Sequence, residues 1–400
     1  MKKVTIVGIG TGRDTLTLEA INAIESAEVI LGAQRLLDMV SGFCKDATKR
    51  LYPYYLPKDT VNAIPTEDAD RFVVLVSGDS GFYSAATKLG EALCMYELRF
   101  VPGISTVNAF FARVKLPWQN TAFVSAHGRE TDVPGYVRRN RMSFCLTGNN
   151  VREIGAALVR AGLGHVKTHV GENLGTELER LYETSAGRLT SAGCPSLTVL
   201  LFQNDAFDDS APTGLPDVRF ARLEGIPMTK SETRAVVMSK LQLRPSCICW
   251  DIGAGTGSVT VEMALSAYHG HVYAIERREA ALPLIENNCA SFHVGNVTPV
   301  CGSAPGVLEQ LPAPAAVFIG GSGGEIENII SAVLNKKLDA RIVIAAVTIE
   351  TVSLALAAFK ATGLEPEITQ ISAARGKRAG ELHLMEAQNP VTILCAGGEI

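Results

Sequence analysis

An α/β protein of two domains, each built on a largely parallel sheet, is what this sequence predicts. Three observations carry the prediction. Short apolar runs rich in Val, Ile and Leu alternate with helical patterns along the chain, the signature of βα units. Two tight glycine loops, in VTIVGIGTG (4–12) and DIGAGTG (251–257), each close a strand and lead toward a helix. Between them, NDAFDDSAPTGLPD (204–217) loses all periodicity and is dominated by Asp, Pro, Gly and Ser. It marks a boundary, giving a first domain over 1–205, a linker over 206–222 and a second domain over 223–400.

The totals agree. Four hundred residues suffice for two domains, and 47% hydrophobic against 20% charged residues is a globular balance. A net charge of -4 argues against a nucleic-acid partner, since neutralising phosphates needs a basic surface. No apolar stretch reaches the ~18 residues that would span a membrane, and the start lacks a signal-peptide core. The nine cysteines include no C-x-x-C pair, so reduced thiols and a cytoplasmic location are expected. His269 and His271 form an H-x-H with no third ligand nearby, and no metal is expected.

In the first half, strands are expected near 4–7, 29–31, 72–76, 98–101, 122–125, 143–147, 165–170 and 197–202, with a helix over 17–26. In the second half, a helix is expected over 231–241, capped by Thr229 or Ser231. Seven strands follow, near 247–251, 271–275, 297–301, 316–319, 341–346, 367–371 and 391–394. A second helix, over 258–266, follows the second glycine loop.

That second loop reads G-x-G-x-G. A dinucleotide loop needs G-x-G-x-x-G, and from Gly253 and Gly255 the required positions hold Ser258 and Thr260. The spacing therefore does not seat a pyrophosphate. Glu276 ends the next strand, where a carboxylate can accept both hydroxyls of a ribose. Ribose without pyrophosphate points to a nucleoside such as S-adenosylmethionine (S-adenosyl-L-methionine). The first loop, Gly8, Gly10 and Gly12, fails the same test because Arg13 follows. Three further glycine-bearing turns end strands in the first half: SGD (77–79) with Gly81, PGIST (102–106), and AHGR (126–129). Together they imply a cleft at a sheet's carboxyl edge.

The stretches GIPMTK, DIGAGTG, AIER, GSAP, FIGGSGGE and NPVTIL, between 225 and 394, resemble the class I methyltransferases that methylate carbon 15 and decarboxylate in cobalamin biosynthesis. The resemblance implies a seven-stranded Rossmann-like domain holding S-adenosylmethionine through Thr229, Asp251, Gly253, Ala254, Gly255, Thr256, Gly257, Glu276, Ser303 and Ala304. Ser303 stands where that family usually carries an acidic residue meeting the adenine amino group. Residues 1–203 resemble the class III tetrapyrrole methyltransferases, a fold of two α/β lobes. There the cofactor is expected against Gly78, Asp79, Gly81, Pro102, Gly103, Ile104, Ser105 and Thr106, with Gly8, Gly10 and Gly12 lining the substrate cleft. Thr11 and Ser80 depart from the prolines found in that family. Both halves together resemble fused enzymes that methylate a precorrin-6-type tetrapyrrole at C5 and C15 and remove one acetate carboxyl. The same resemblance implies a homo-oligomer.

Such a substrate carries several carboxylate arms. Arg129, Arg138, Arg139 and Arg141, and Arg375, Lys377 and Arg378 in a loop between late strands, are either solvated charge or clamps for those arms. Gly320, Gly321, Ser322, Gly323 and Gly324 form a turn that holds a carboxylate through free amides or is merely flexible. His127, with Arg129 beside it, is the candidate catalytic group, for proton transfer or for a structural hydrogen bond.

Overall fold

The structure, a computed structural model, describes residues 1–44, 48–54, 57–128, 131–208 and 212–398. Arg129, one of the two candidate catalytic residues, lies outside the described residues.

The first lobe is a five-stranded sheet of β1 (Lys3–Gly8), β2 (Val29–Gly32), β3 (Arg50–Pro53), β4 (Arg71–Val76) and β5 (Glu97–Val101), in the order β3-β2-β4-β1-β5. Every pair in it is parallel. Its central strands are apolar on both faces because helices cover both: Val4 and Ile6 pack into one cluster, Val7 and Ile30 into the other. The second lobe orders β6 (Thr121–Ser125), β7 (Met142–Leu146), β8 (Lys167–Glu172), β9 (Arg180–Ser185) and β10 (Thr198–Gln203) as β6-β7-β10-β8-β9. Only its β6–β7 pair is parallel.

The second domain carries the expected seven strands: β11 (Ile248–Ile252), β12 (His271–Glu276), β13 (Val297–Cys301), β14 (Ala316–Ile319), β15 (Arg341–Ala346), β16 (Glu367–Ile371) and, after a hairpin, β19 (Val391–Ala396). The order is β13-β12-β11-β14-β15-β19-β16, with β19 antiparallel to both neighbours. The helix Ser231–Leu241 lies where its pattern placed it, but its N-cap is Lys230 and no side chain caps it; the Ser231 hydroxyl turns to Glu232 instead. The stretch read as a loop around Arg375, Lys377 and Arg378 is a strand. It is β17 (Ala374–Ala379), which pairs only with β18 (Leu382–Ala387).

Part of the span read as linker is built into the second domain. Leu215 and Phe220 are buried in its core. Arg234, wholly buried, donates from Nε to Glu262 at 2.7 Å and from Nη1 to Asp217 at 3.3 Å and to the Thr229 carbonyl at 2.6 Å. Glu262 in turn accepts from the Leu215 amide at 3.0 Å. The two domains also touch directly. Tyr136 Oη lies 3.3 Å from His269 Nδ1, the Arg139 guanidinium sits 3.5 Å above the Tyr268 ring, and His293 Nδ1 is 2.9 Å from the Ala161 carbonyl.

Candidate functional site

In each domain a cavity opens where the glycine turns leave the carboxyl edge of the sheet. In the first domain, β1, β4 and β5 end in turns that are stacked backbone on backbone. Gly10 and Gly78 exchange both of their amide hydrogen bonds, at 3.0 and 2.9 Å. A Cβ on Gly103 would lie 2.2 Å from the Gly78 carbonyl oxygen and 2.5 Å from that of Gly8. No other residue fits that crossing.

The turns thereby present Gly78, Asp79, Ser105 and Thr106 to a cavity of ≈ 320 Å³ closed on the far side by Ser125, His127, Thr147 and Leu174. Gly81 stands behind Asp79, whose Oδ1 accepts its amide at 2.7 Å. Pro102, Gly103 and Ile104 support the wall without lining it, and of the first loop only Thr11 reaches the cavity. Gly8, Gly10 and Gly12, expected along the substrate cleft, do not line this cavity; they pack against Gly103, Gly78 and Gly175. The Thr11 hydroxyl is buried and has no partner among the described residues. His127 Nδ1 lies 3.2 Å from the Thr147 carbonyl, an acceptor, so this nitrogen carries the proton and Nε2 is left as the basic one. Arg35 and Tyr83 also line the cavity. Sequence reasoning missed both: Arg35 lies in the helix after β2, away from the glycine turns, and Tyr83 was not singled out within the turn that carries Gly81.

In the second domain the cavity is ≈ 220 Å³ and lies where β11, β12 and β14 end. Gly253, Gly255, Glu276, Ser303, Ala304, Gly320, Gly321, Ser322 and Gly323 line it. Gly253 has φ +77°, and a Cβ there would meet the Gly321 amide nitrogen at 2.7 Å, so the two glycine turns are in backbone contact. Glu276 is buried. Its Oε2 accepts from the Gly255 amide at 2.9 Å and its Oε1 from the Arg278 amide at 3.0 Å. The carboxylate is fixed, with lone pairs left over for hydroxyl donors.

Thr229, Asp251, Ala254, Thr256, Gly257 and Gly324 flank the cavity without lining it. Asp251 is fully buried; burial pushes its carboxyl up to about 7, and Thr260 Oγ1 donates to its Oδ2 at 2.5 Å. Asp251 Oδ1 and Thr256 Oγ1 have no partner among the described residues. A fixed carboxylate at a strand end, glycine turns too close for any side chain and buried unpartnered oxygens suit a nucleoside.

Arg375, Lys377 and Arg378 are not brought to this cavity. Arg375 is held by Asp217 at 2.8 Å and by Glu232 at 2.9 Å, and it pulls the Glu232 carboxyl down to about 2. Lys377 pairs with Glu386 at 3.3 Å, and Arg378 donates to the Gly380 carbonyl at 3.0 Å. The cavity's own cations are Arg277 and Arg278, which follow Glu276 directly in the sequence AIERRE and were not singled out from the sequence.

Residues 3–190 match the tetrapyrrole (corrin/porphyrin) methylases, and residues 222–396 match the precorrin methyltransferase domain. A precorrin-6Y C(5,15)-methyltransferase [decarboxylating] of Sinorhizobium sp is 31% identical over 354 residues, 86% of this chain and 84% of that protein. A probable cobalt-precorrin-6B C(15)-methyltransferase (decarboxylating) of Pyrobaculum calidifontis is 45% identical over 188 residues, 46% of this chain and 96% of its own. The crystal structure of a precorrin-6Y C5,15-methyltransferase from Geobacter metallireducens GS-15 is 39% identical. It covers 47% of this chain and 97% of that one, with a TM-score of 0.44. With a relative similar along most of both sequences and each half matched by its own family, the chain belongs to the precorrin-6Y C5,15-methyltransferase (decarboxylating) family.

Proposed function

We propose that the first-domain cavity methylates C5 of a precorrin-6-type tetrapyrrole and that the second-domain cavity methylates C15 and removes an acetate carboxyl. One observation carries the reading: each domain ends its central strands in glycine turns packed too closely for side chains, beside a cavity. S-adenosylmethionine, the methyl donor of this family, supplies an already activated methyl group.

The chain's residues then have three tasks. Glu276 fixes the nucleoside by its ribose, and the turns at Gly78–Asp79 and Ser105–Thr106 do the corresponding work in the first domain. Holding both reactants in line contributes up to ~7–11 kcal/mol of the barrier. His127, with Nε2 free, takes a proton from the substrate during C5 methylation. When the acetate carboxyl leaves as carbon dioxide, the electron pair of the broken carbon–carbon bond enters the conjugated ring.

We also propose self-association, supported by the hairpin β17–β18, which stands apart from the seven-stranded sheet. Leu382, Leu384 and Met385 on it are 71%, 61% and 69% exposed. Light scattering of the purified chain reads this directly, and a monomer contradicts it. A cytoplasmic location accords with nine cysteines that form no disulfide. No helix of the described residues is long and apolar enough to cross a membrane. The decisive experiment is mass spectrometry of a precorrin-6 substrate after incubation with the protein and S-adenosylmethionine. Two methyls gained and one carbon dioxide lost are expected; an unchanged mass refutes the reading.

A further inference from the structure

Four chain segments leave the seven-stranded sheet side by side at its carboxyl edge. In spatial order they follow β12, β11, β14 and β15. The first brings Arg277 and Arg278, the second the glycine loop, the third the Gly320–Gly324 turn. The fourth brings Val347, Thr348 and Ile349. The register sets Ile319 beside Ile344, so the glycine turn and the segment after Ala346 emerge next to each other.

The two ends of this row are chemically opposite, and neither has a structural explanation. Arg278 is committed, donating from Nη1 to the Gly225 carbonyl and leaving its amide on Glu276. Arg277 lines the cavity with no carboxylate in ion-pair range among the described residues. It lies over the glycine turn: a Cβ on Gly323 would meet its Nη1 at 3.4 Å. At the other end, Val347 is 68% and Ile349 85% exposed, on the segment that leaves β15 next to the strand carrying the glycine turn. Glu325, the acidic residue of the same wall, is tied to Asn328 Nδ2 at 2.6 Å.

Neighbouring strands lie ~4.8 Å apart, so the row from β12 to β15 spans about 14 Å, the scale of a tetrapyrrole ring. Such a ring has apolar faces and carboxylate arms at its rim. We propose that this edge is the tetrapyrrole seat of the second domain: Arg277 clamps a rim carboxylate, and Val347 and Ile349 carry the ring face. An arginine fork matches a carboxylate in shape as well as charge, and burying exposed Val and Ile under the ring is favourable. The inference rests on the C15 reading above.

The test compares wild type with Arg277→Ala, Arg277→Lys and Ile349→Asp, following C5 and C15 methylation separately by mass spectrometry. Each side chain changed is exposed, and C5 methylation reports that the chain is intact. The KM for the tetrapyrrole at C15 rises by roughly tenfold in Arg277→Ala and in Ile349→Asp. Arg277→Lys recovers part of the loss. C5 turnover stays within twofold of wild type in all variants, and calorimetric affinity for S-adenosylmethionine at the second site does so in Ile349→Asp, which lies outside the cavity lining. An unchanged C15 KM in either variant overturns the seat. So does a loss of cofactor affinity of the same size in Ile349→Asp, or a change of oligomeric state without a change of KM. If the wild-type chain itself makes no C15 product, the functional reading fails, which is a distinguishable result.

Discussion

The carboxylate of Glu276 accepts the backbone amide of Gly255 at 2.9 Å, which ties the end of β12 to the glycine loop after β11. The carboxylate is therefore oriented before any ligand arrives, and its remaining lone pairs face the cavity. Glu276→Ala is expected to lose about 1.5–3 kcal/mol of cofactor affinity at the second site. Isothermal calorimetry on the full chain measures it. An unaltered second-site affinity would falsify the ribose role.

Gly103 is the corresponding lock in the first domain. Gly103→Ala forces a Cβ onto two carbonyl oxygens and must part the turns that carry Gly78 and Ser105. Cofactor binding and C5 methylation are expected to fall together, with C15 methylation retained. Retained C5 activity in this variant would mean the three turns are free to move apart.

His127→Ala is expected to slow C5 methylation by ~10²-fold while cofactor affinity at that site holds. The pH profile of C5 turnover is the sharper readout, since removal of a proton acceptor flattens its acidic limb. A profile that keeps its limb assigns His127 to structure alone, through its bond to Thr147.

Two aspartates, Asp251 fully buried and Asp132 half-buried, contribute to the pH dependence of stability. Burial raises Asp132 to about 6 and Asp251 to about 7, both from 3.8. Between pH ~4 and ~7 the folded chain therefore binds more protons than the unfolded one, and stability falls as pH rises through that window. Glu232 acts oppositely, but its pKa is lowered to about 2, so its contribution is lost only in stronger acid. Thermal melts of Asp251→Asn and Asp132→Asn should each show a shallower decline from pH 4.5 to 7.5. A slope equal to that of wild type in both variants rejects the assignment.

The boundary is open to truncation. A fragment of residues 214–400 keeps Leu215, Asp217 and Phe220, and should fold and bind one cofactor. A fragment of 223–400 strips the buried Arg234 of Asp217 and of the Leu215 carbonyl, and removes Phe220 from the core. Glu262 still holds Arg234, but the buried network loses a carboxylate and a carbonyl while the core loses Phe220, so the shorter fragment should melt far lower or fail to fold. Equal melting temperatures would show that the segment is dispensable.

Much of this was legible in the sequence because it rests on local rules. Alternating apolar runs gave the β11–β15 strands, and G-x-G-x-G spacing excluded a pyrophosphate. A carboxylate one strand later located Glu276. What escaped depends on partners far away along the chain. Arg375 looks like a free clamp until Asp217, 158 positions earlier, is found to hold it. Arg277 looks like surface charge until the β14 turn comes to lie beneath it. The hairpin β17–β18 lacks a core face, so no period announces it, and β3 is a four-residue edge strand too short for its alternation to stand out.

The contacts of Tyr136 with His269 and of Arg139 with Tyr268 give the fusion a kinetic meaning. Whichever carbon is alkylated first, the half-finished pigment departs from one catalyst a short distance from the next. Joining both sites on one chain fixes their ratio at one to one, so each half is made wherever the other is.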